Sequence, residues 1–235
     1  MNITFRCDPA LIELLPRPVP AHAMLPDWLR AMPPRVPSAV HQRAVRTVKQ
    51  CPPFVDAMTH GFLMLLPCDV HVERMQFSWD WPLPPLASAA HPRAPLSFHV
   101  PEQIEGAPFS HEGRSALKFN SFWTIELEAD WSLMVVHPVH RDDLPFRLIT
   151  GMVDSDKFVD IGINFPALWT EPDFCGVLPR GTPVAQCYPV RREAPALVCE
   201  AMSPQHIERY NEVSAGIMAA PGVYRRGYRS KRDRA

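Results

Sequence analysis

Proline limits this chain more than any other residue. There are 28 prolines against 10 glycines in 235 residues, and proline can neither donate to a strand ladder nor sit inside a helix. Elements must be short and joined by rigid, extended connectors, which excludes a long helical bundle. A hydrophobic content of 46% excludes global disorder and supports a real core. The length suits one large all-β domain or two small ones.

Between Lys118 and Val190, alternating apolar segments are separated by Asp, Gly and Pro, the pattern of successive β-strands. The fold expected is mainly β: an antiparallel β-sandwich or a jelly-roll-like double-stranded β-helix, with few short helices and one at the C-terminus. Strands are expected at 2–6, through FLMLLPCDVHVER with a kink at Pro67, in MQFSWDW and SFHV, and near 117–128, 131–137, 146–153, 158–164 and 183–190. In the second half of FLMLLPCDVHVER, Val70 and Val72 share one face, and Asp69, His71 and Glu73 the other. Pro26 and Asp27 open a short helix in PDWLRAM, and another spans Phe54 to Thr59. Ser203 and Pro204 carry a helix-start signal. Ile207, Tyr210, Val213 and Ile217 then recur at helical spacing, so that face is expected to dock on the sheet. Residues 1–202 read as one β-rich domain with an N-terminal Pro-rich strap, and 203–235 as a helix and basic tail packed on it.

Formal net charge is −1 with a pI near 6.8, so the body carries no general field for polyanions or anionic membranes. The exception is Arg225, Arg226, Arg229, Lys231, Arg232 and Arg234, crowded near the C-terminus. Nucleic acid is not expected as a partner except through this tail. The longest apolar run, Phe62 to Leu66, is too short to span a bilayer. Six cysteines without CxxC or zinc-like spacing, and no secretory signal, give a cytoplasmic location with reduced thiols as the expectation. A homo-oligomer is compatible with this composition.

The sharpest chemical pattern is His71-Val72-Glu73, followed by His137 and Arg147. Residues two apart on a strand share a face, so His71 and Glu73 would project side by side. With His137 they would offer two imidazoles and a carboxylate to Fe(II), leaving positions open for oxygen and substrate. Arg147 could pair bidentately with the carboxylate of a 2-oxo acid co-substrate such as 2-oxoglutarate. The order resembles the HxD/E…H…R pattern of double-stranded β-helix oxygenases, and implies a metal-dependent enzyme acting on a small-molecule substrate. Two such ligands must converge within about 4 Å of each other. The alternative is a non-catalytic module that meets its partner through a tryptophan-lined face and the basic tail. Trp79, Trp81, Trp123, Trp131 and Trp169 are the candidates for that face.

Other groups read as structural. His140 fits a satisfied loop position. Asp154, Asp156 and Asp160 suit a turn better than a cation loop, because the glycine and terminal glutamate of an EF-hand are missing. Cys51 and Cys68 read as buried small hydrophobes. No phosphate-binding glycine loop, dinucleotide fingerprint or GxSxG elbow is present.

The segments LPDWLRAMPP, TVKQCPPFVDAMTHGFLMLLPCDVHV, KFNSFWTIELEADWSLMVVHPVHRDDLPFRLITGMVDSD and INFPALWTEPDFCGVLPRGTPVAQCYPVRRE resemble a family of bacterial and phage proteins known only as a domain of unknown function. The resemblance runs from about residue 9 to 193. It implies a single β-rich domain and no established activity, and its phage members keep a non-enzymatic role open, such as a virion or host-interaction module. GMVDSDKFVDIGINF followed by GVLPRGTPVAQCYPV is similar in layout to strand pairs of trimeric dUTPase-like and deaminase-like β proteins. That likeness implies architecture alone.

Overall fold

The computed structural model of the chain describes residues 1–109 and 116–230. It is mainly β, 29% strand and 22% helix, and every strand pairing is antiparallel. The strands are β1 (Thr4–Arg6), β2 (Val19–Pro20), β3 (Arg35–Ser38), β4 (Arg43–Arg46), β5 (Phe62–Leu65), β6 (Val70–Glu73), β7 (Gln76–Ser78) and β8 (Leu96–Phe98). They continue with β9 (Ala116–Asn120), β10 (Thr124–Glu126), β11 (Trp131–Val136), β12 (Phe146–Leu148), β13 (Gly151–Val153), β14 (Asn164–Trp169), β15 (Cys175–Leu178) and β16 (Pro183–Arg191). The helices are α1 (Asp27–Ala31), α2 (Pro52–Thr59) and α3 (Pro204–Ala219). Most strands are three to six residues long, as the proline count demands.

Two compact units divide the chain, and they do not follow the boundary at residue 202 read from the sequence. The first takes residues 1–32 and 56–192, the second 33–55 and 193–235.

In the first unit a five-stranded sheet runs β13-β11-β16-β5-β2 and a four-stranded sheet β12-β14-β9-β8. A three-stranded sheet runs β15-β6-β7, and β1 pairs with β10. One apolar cluster draws on all of them. Register builds it: Leu96 lies opposite Phe119, which faces Phe165, and Phe146 lies opposite Trp169. Phe119 and Phe146 pack at 4.7 Å between ring centroids. Pro67 separates β5 from β6, so the single kinked strand of the sequence reading becomes two strands in different sheets.

Several strand expectations need correction, beginning with 117–128 and 146–153, each of which is two strands in different sheets. The segment near 158–164 is mostly turn, and β14 begins only at Asn164. A Cβ on Gly162 would lie 2.2 Å from the Ser121 carbonyl, so the backbone passes too close there for ordinary side chains. The missed β15 is short and largely exposed, and so lacks the apolar alternation that marks a strand in sequence.

In the second unit β3 and β4 form a hairpin. Pro37 is tolerated because it lies in a two-stranded edge where its missing N–H is not needed. The Ser203 side chain caps α3, accepting from the His206 N–H at 3.3 Å, with Pro204 at the first helical position. No residue of α3 is buried. One wide helical turn, Tyr224–Tyr228, follows. Lys231, Arg232 and Arg234 of the basic tail lie outside the described residues.

The first unit is tied together at Gln186 on β16, a side chain 1% exposed. Its Oε1 accepts from the Val139 N–H at 2.9 Å, and its Nε2 donates to the carbonyls of Ala57 at 3.1 Å and His60 at 2.7 Å. One carboxamide thereby joins the end of α2 and the connection after β11 to the central strand of the sheet. Beside it Gly61 turns into β5 with φ of 74°, and a Cβ there would meet the Cys187 carbonyl at 2.1 Å.

Gln186→Leu should lower unfolding free energy by about 1–3 kcal/mol, since it leaves the part-buried Val139 N–H and His60 carbonyl without their partner while the Ala57 carbonyl keeps the Tyr188 hydroxyl. Gly61→Ala should cost at least about 1–2 kcal/mol from the left-handed backbone alone. Urea unfolding followed by tryptophan fluorescence measures both. A midpoint unchanged in either variant would contradict the assignment.

Candidate functional site

Period-two alternation places His71 and Glu73 as expected, both exposed on β6 with Val70 and Val72 buried beneath. His71 lies between Ser78 of β7 and Val177 of β15. His137 follows β11 in a different sheet. Among the described residues, no three His, Cys, Asp or Glu side chains gather in a group that could hold a metal ion. His71, Glu73 and His137 therefore do not assemble the triad expected from the sequence. Period-two spacing fixes which face a side chain takes but not which sheet lies opposite.

His137 is also chemically committed. Its Nδ1 accepts the Leu148 N–H at 3.2 Å, which leaves the proton on Nε2, 3.1 Å from the Arg141 carbonyl. Both ring nitrogens are thus spent on closing the loop between β11 and β12, and neither has a lone pair to offer. The ring stands edge-on to Phe146 at 5.8 Å. Burial pushes its pKa down, with Arg147 and Arg141 adding to the shift against an opposing pull from the Arg141 carbonyl and Asp142. Arg147 itself points outward from β12, mostly exposed, 3.9 Å from Asp142. His140 takes a left-handed turn position, φ 58°.

The aspartate run is a turn, and an arginine stands where a cation would. Arg192 holds Asp156 with both terminal nitrogens and lies 3.4 Å from Asp154, which accepts from the Ser132 hydroxyl at 2.6 Å. The Arg192 guanidinium keeps the Asp156 carboxyl far below the usual range. Cys68 is buried as expected, and burial raises its thiol to about 11. Cys51 is exposed, contrary to the expectation.

A large recess in the first unit lies elsewhere, at one end of the five-stranded sheet. It measures about 550 Å³ and is walled by Ile3, Phe5, Val19, Phe62, Trp131 and Pro189, with Pro18, Pro20 and His60 at its margin. Register explains the grouping. Leu133 lies opposite Pro189, Cys187 opposite Phe62, and Phe62 opposite Pro20, so Trp131, Pro189, Phe62 and Pro20 fall on one face across four strands. Phe5 of β1 stands edge-on to Phe62 at 5.2 Å. Among the described residues His60 is the one titratable side chain of the lining. The His60 ring stacks on Tyr188 at 5.6 Å, and Tyr188 donates its hydroxyl to the Ala57 carbonyl at 3.0 Å. Burial pushes the Tyr188 phenol up to about 12.

Of this recess, sequence reading singled out only Trp131. The aromatic residue of the first strand, Phe5, was the other available signal. What it lacked was the return of residues 18–20 to the edge of β5.

The chain matches no protein-family model and no curated protein. Among the described residues no helix is long and apolar enough to cross a membrane.

Because the folded pKa of His137 lies below its ordinary value near 6.5, the unfolded chain takes the proton first on acidification. The stability His137 contributes is complete above about pH 6.5 and falls as pH drops through that value towards the folded pKa. Urea midpoints should decline from about pH 7.5 to pH 5, and His137→Gln, which cannot titrate, should flatten part of that decline. An identical pH dependence in both proteins would count against it.

Proposed function

We propose that this chain is a non-catalytic binding module whose first unit takes an apolar, ring-bearing organic ligand in the recess beside Phe62 and Trp131. The observation that carries this reading is the wall itself. Three aromatic side chains, Phe5, Phe62 and Trp131, surround about 550 Å³, and among the described residues His60 is the one titratable side chain of the lining. Ligand sites of about 300–1,000 Å³ are lined in this way, with one or two polar groups setting orientation. No Ser or Cys nucleophile and no carboxylate lines the recess, so binding rather than turnover suits it. The shared core of the four- and five-stranded sheets supports treating them as the two layers of a sandwich.

The oxygenase reading draws no support from the side-chain arrangement. It would need His137 to surrender both backbone partners and to meet His71 and Glu73 from another sheet.

An apolar fluorescent probe, N-phenyl-1-naphthylamine, should brighten on binding and shift Trp131 emission. Ile3→Glu, which puts a charge into the wall, should weaken binding about tenfold or more, equivalent to about 1.4 kcal/mol. No brightening at millimolar probe, or equal binding by Ile3→Glu, would overturn the reading. Elemental analysis of the same preparations should find no stoichiometric iron and no difference between wild type and His71→Ala. About one equivalent of iron that vanishes in His71→Ala would restore the oxygenase reading.

A further inference from the structure

The second unit carries a charge pattern that the recess does not explain. It holds eleven Lys and Arg against five Asp and Glu, a formal +6, leaving −7 on the first unit. Within it, residues 33–55 and 221–230 contribute seven of those cations and not one Asp or Glu. Six of the seven are arginines.

The hairpin brings like charges face to face. Arg35 lies directly opposite Arg46 across β3 and β4. The half-buried Val36 and Val45 turn the other way, so both arginines project from the outer face. Gly222, with φ of 84°, adds a third. The position a Cβ would occupy there lies 3.3 Å from an Arg226 guanidinium nitrogen and 3.5 Å from one of Arg46. Arg35, Arg43, Arg46 and Arg225 form no ion pair among the described residues, and the hydrogen bond of Arg226 goes to the Pro221 carbonyl. Directly opposed like charges are destabilising on a strand pair. A segment that concentrates them without a carboxylate is arranged for an anion from outside.

The neighbouring aromatic groups narrow the class of anion. Tyr224 and Tyr228 stand four residues apart on the same wide turn as Arg225 and Arg226, and both are exposed. Arginine pairs bidentately with phosphate and its flat guanidinium stacks on rings, and exposed aromatic faces accept unpaired bases. An acidic peptide would use the arginines but leave the tyrosines without a partner. We infer that the hairpin β3–β4 and the Tyr224–Tyr228 turn form a binding surface for single-stranded nucleic acid, with Arg35, Arg46 and Arg226 on the phosphates and the two tyrosines stacking on bases. This surface is separate from the apolar recess and does not depend on it.

The test is fluorescence anisotropy of the full chain with a labelled oligothymidylate of about 20 nucleotides, titrated across salt from about 50 to 200 mM. Wild type should bind, with affinity falling linearly on a log–log salt plot. Arg35→Gln/Arg46→Gln keeps the side-chain stems and leaves residues 225–235 intact. It should bind about tenfold more weakly, with the slope reduced by roughly 1.4, since each phosphate contact to a single strand contributes about 0.7. Tyr224→Ala/Tyr228→Ala should lose about tenfold on the single strand and little on a duplex of the same length. Circular dichroism and the thermal midpoint report that both variants remain folded. Absence of binding at the lowest salt overturns the inference, as does full binding by the folded Arg35→Gln/Arg46→Gln protein. Duplex bound as tightly as single strand, with the tyrosine variant unaffected, overturns the single-strand assignment. Capture by phosphatidylserine-containing vesicles without any oligonucleotide binding assigns the surface to membranes instead.

Discussion

The first unit depends on a carboxamide that water never reaches. Gln186 sits on the central strand β16 and satisfies, at once, a donor after β11 and two acceptors at the end of α2. Partly buried backbone groups gain from being paired, and here one residue supplies both an acceptor and donors in the right directions to hold α2 and the 137–140 connection on the sheet. Glutamine does, and no apolar residue of the same volume can. The chain's turn at Gly61, pressed on the Cys187 carbonyl, follows from the same closure.

That closure also shapes the recess. Holding the end of α2 against β16 places His60 on Tyr188 and carries the chain into β5 at Phe62. Residues 18–20 then pair with β5 as a short edge, too short to be covered, and proline-rich enough to resist extension by another strand. The result is an apolar wall at a sheet end with aromatic sides. The same economy removes His137 from chemistry: its ring serves as a crosslink between β11 and β12, both nitrogens engaged by backbone, and a histidine so used holds its neutral form because burial opposes the charge.

Much of the fold was legible in the sequence, and for physical reasons that can be named. Proline frequency dictated short elements. Alternation placed Val70 and Val72 inward and His71 and Glu73 outward, and the Ser203-Pro204 signal marked the start of α3. The metal triad was read from alternation, which carries no information about which strands become neighbours; His71 lies on β6 and His137 follows β11 of a different sheet, and no such group gathers among the described residues. The aspartate run was rightly read as a turn, yet the identity of its partner, Arg192, lay 36 residues away and invisible. Cys51 was judged buried because no base stands near it in the sequence, which says nothing about solvent access.

The basic surface shows the same division from the other side. A crowd of arginines near the C-terminus is plain from composition, and it was read as a tail. Only the tertiary structure adds the hairpin, some 180 residues earlier, because a glycine at 222 lets the Arg46 and Arg226 guanidinium groups approach one backbone position. The sequence by itself determined the class of secondary structure, the faces of the strands and the cap of the last helix, since these depend on near neighbours along the chain. Which sheets share a core, which polar group closes it, and which charges meet were decided by contacts between residues far apart in sequence. Local propensity has no term for those contacts.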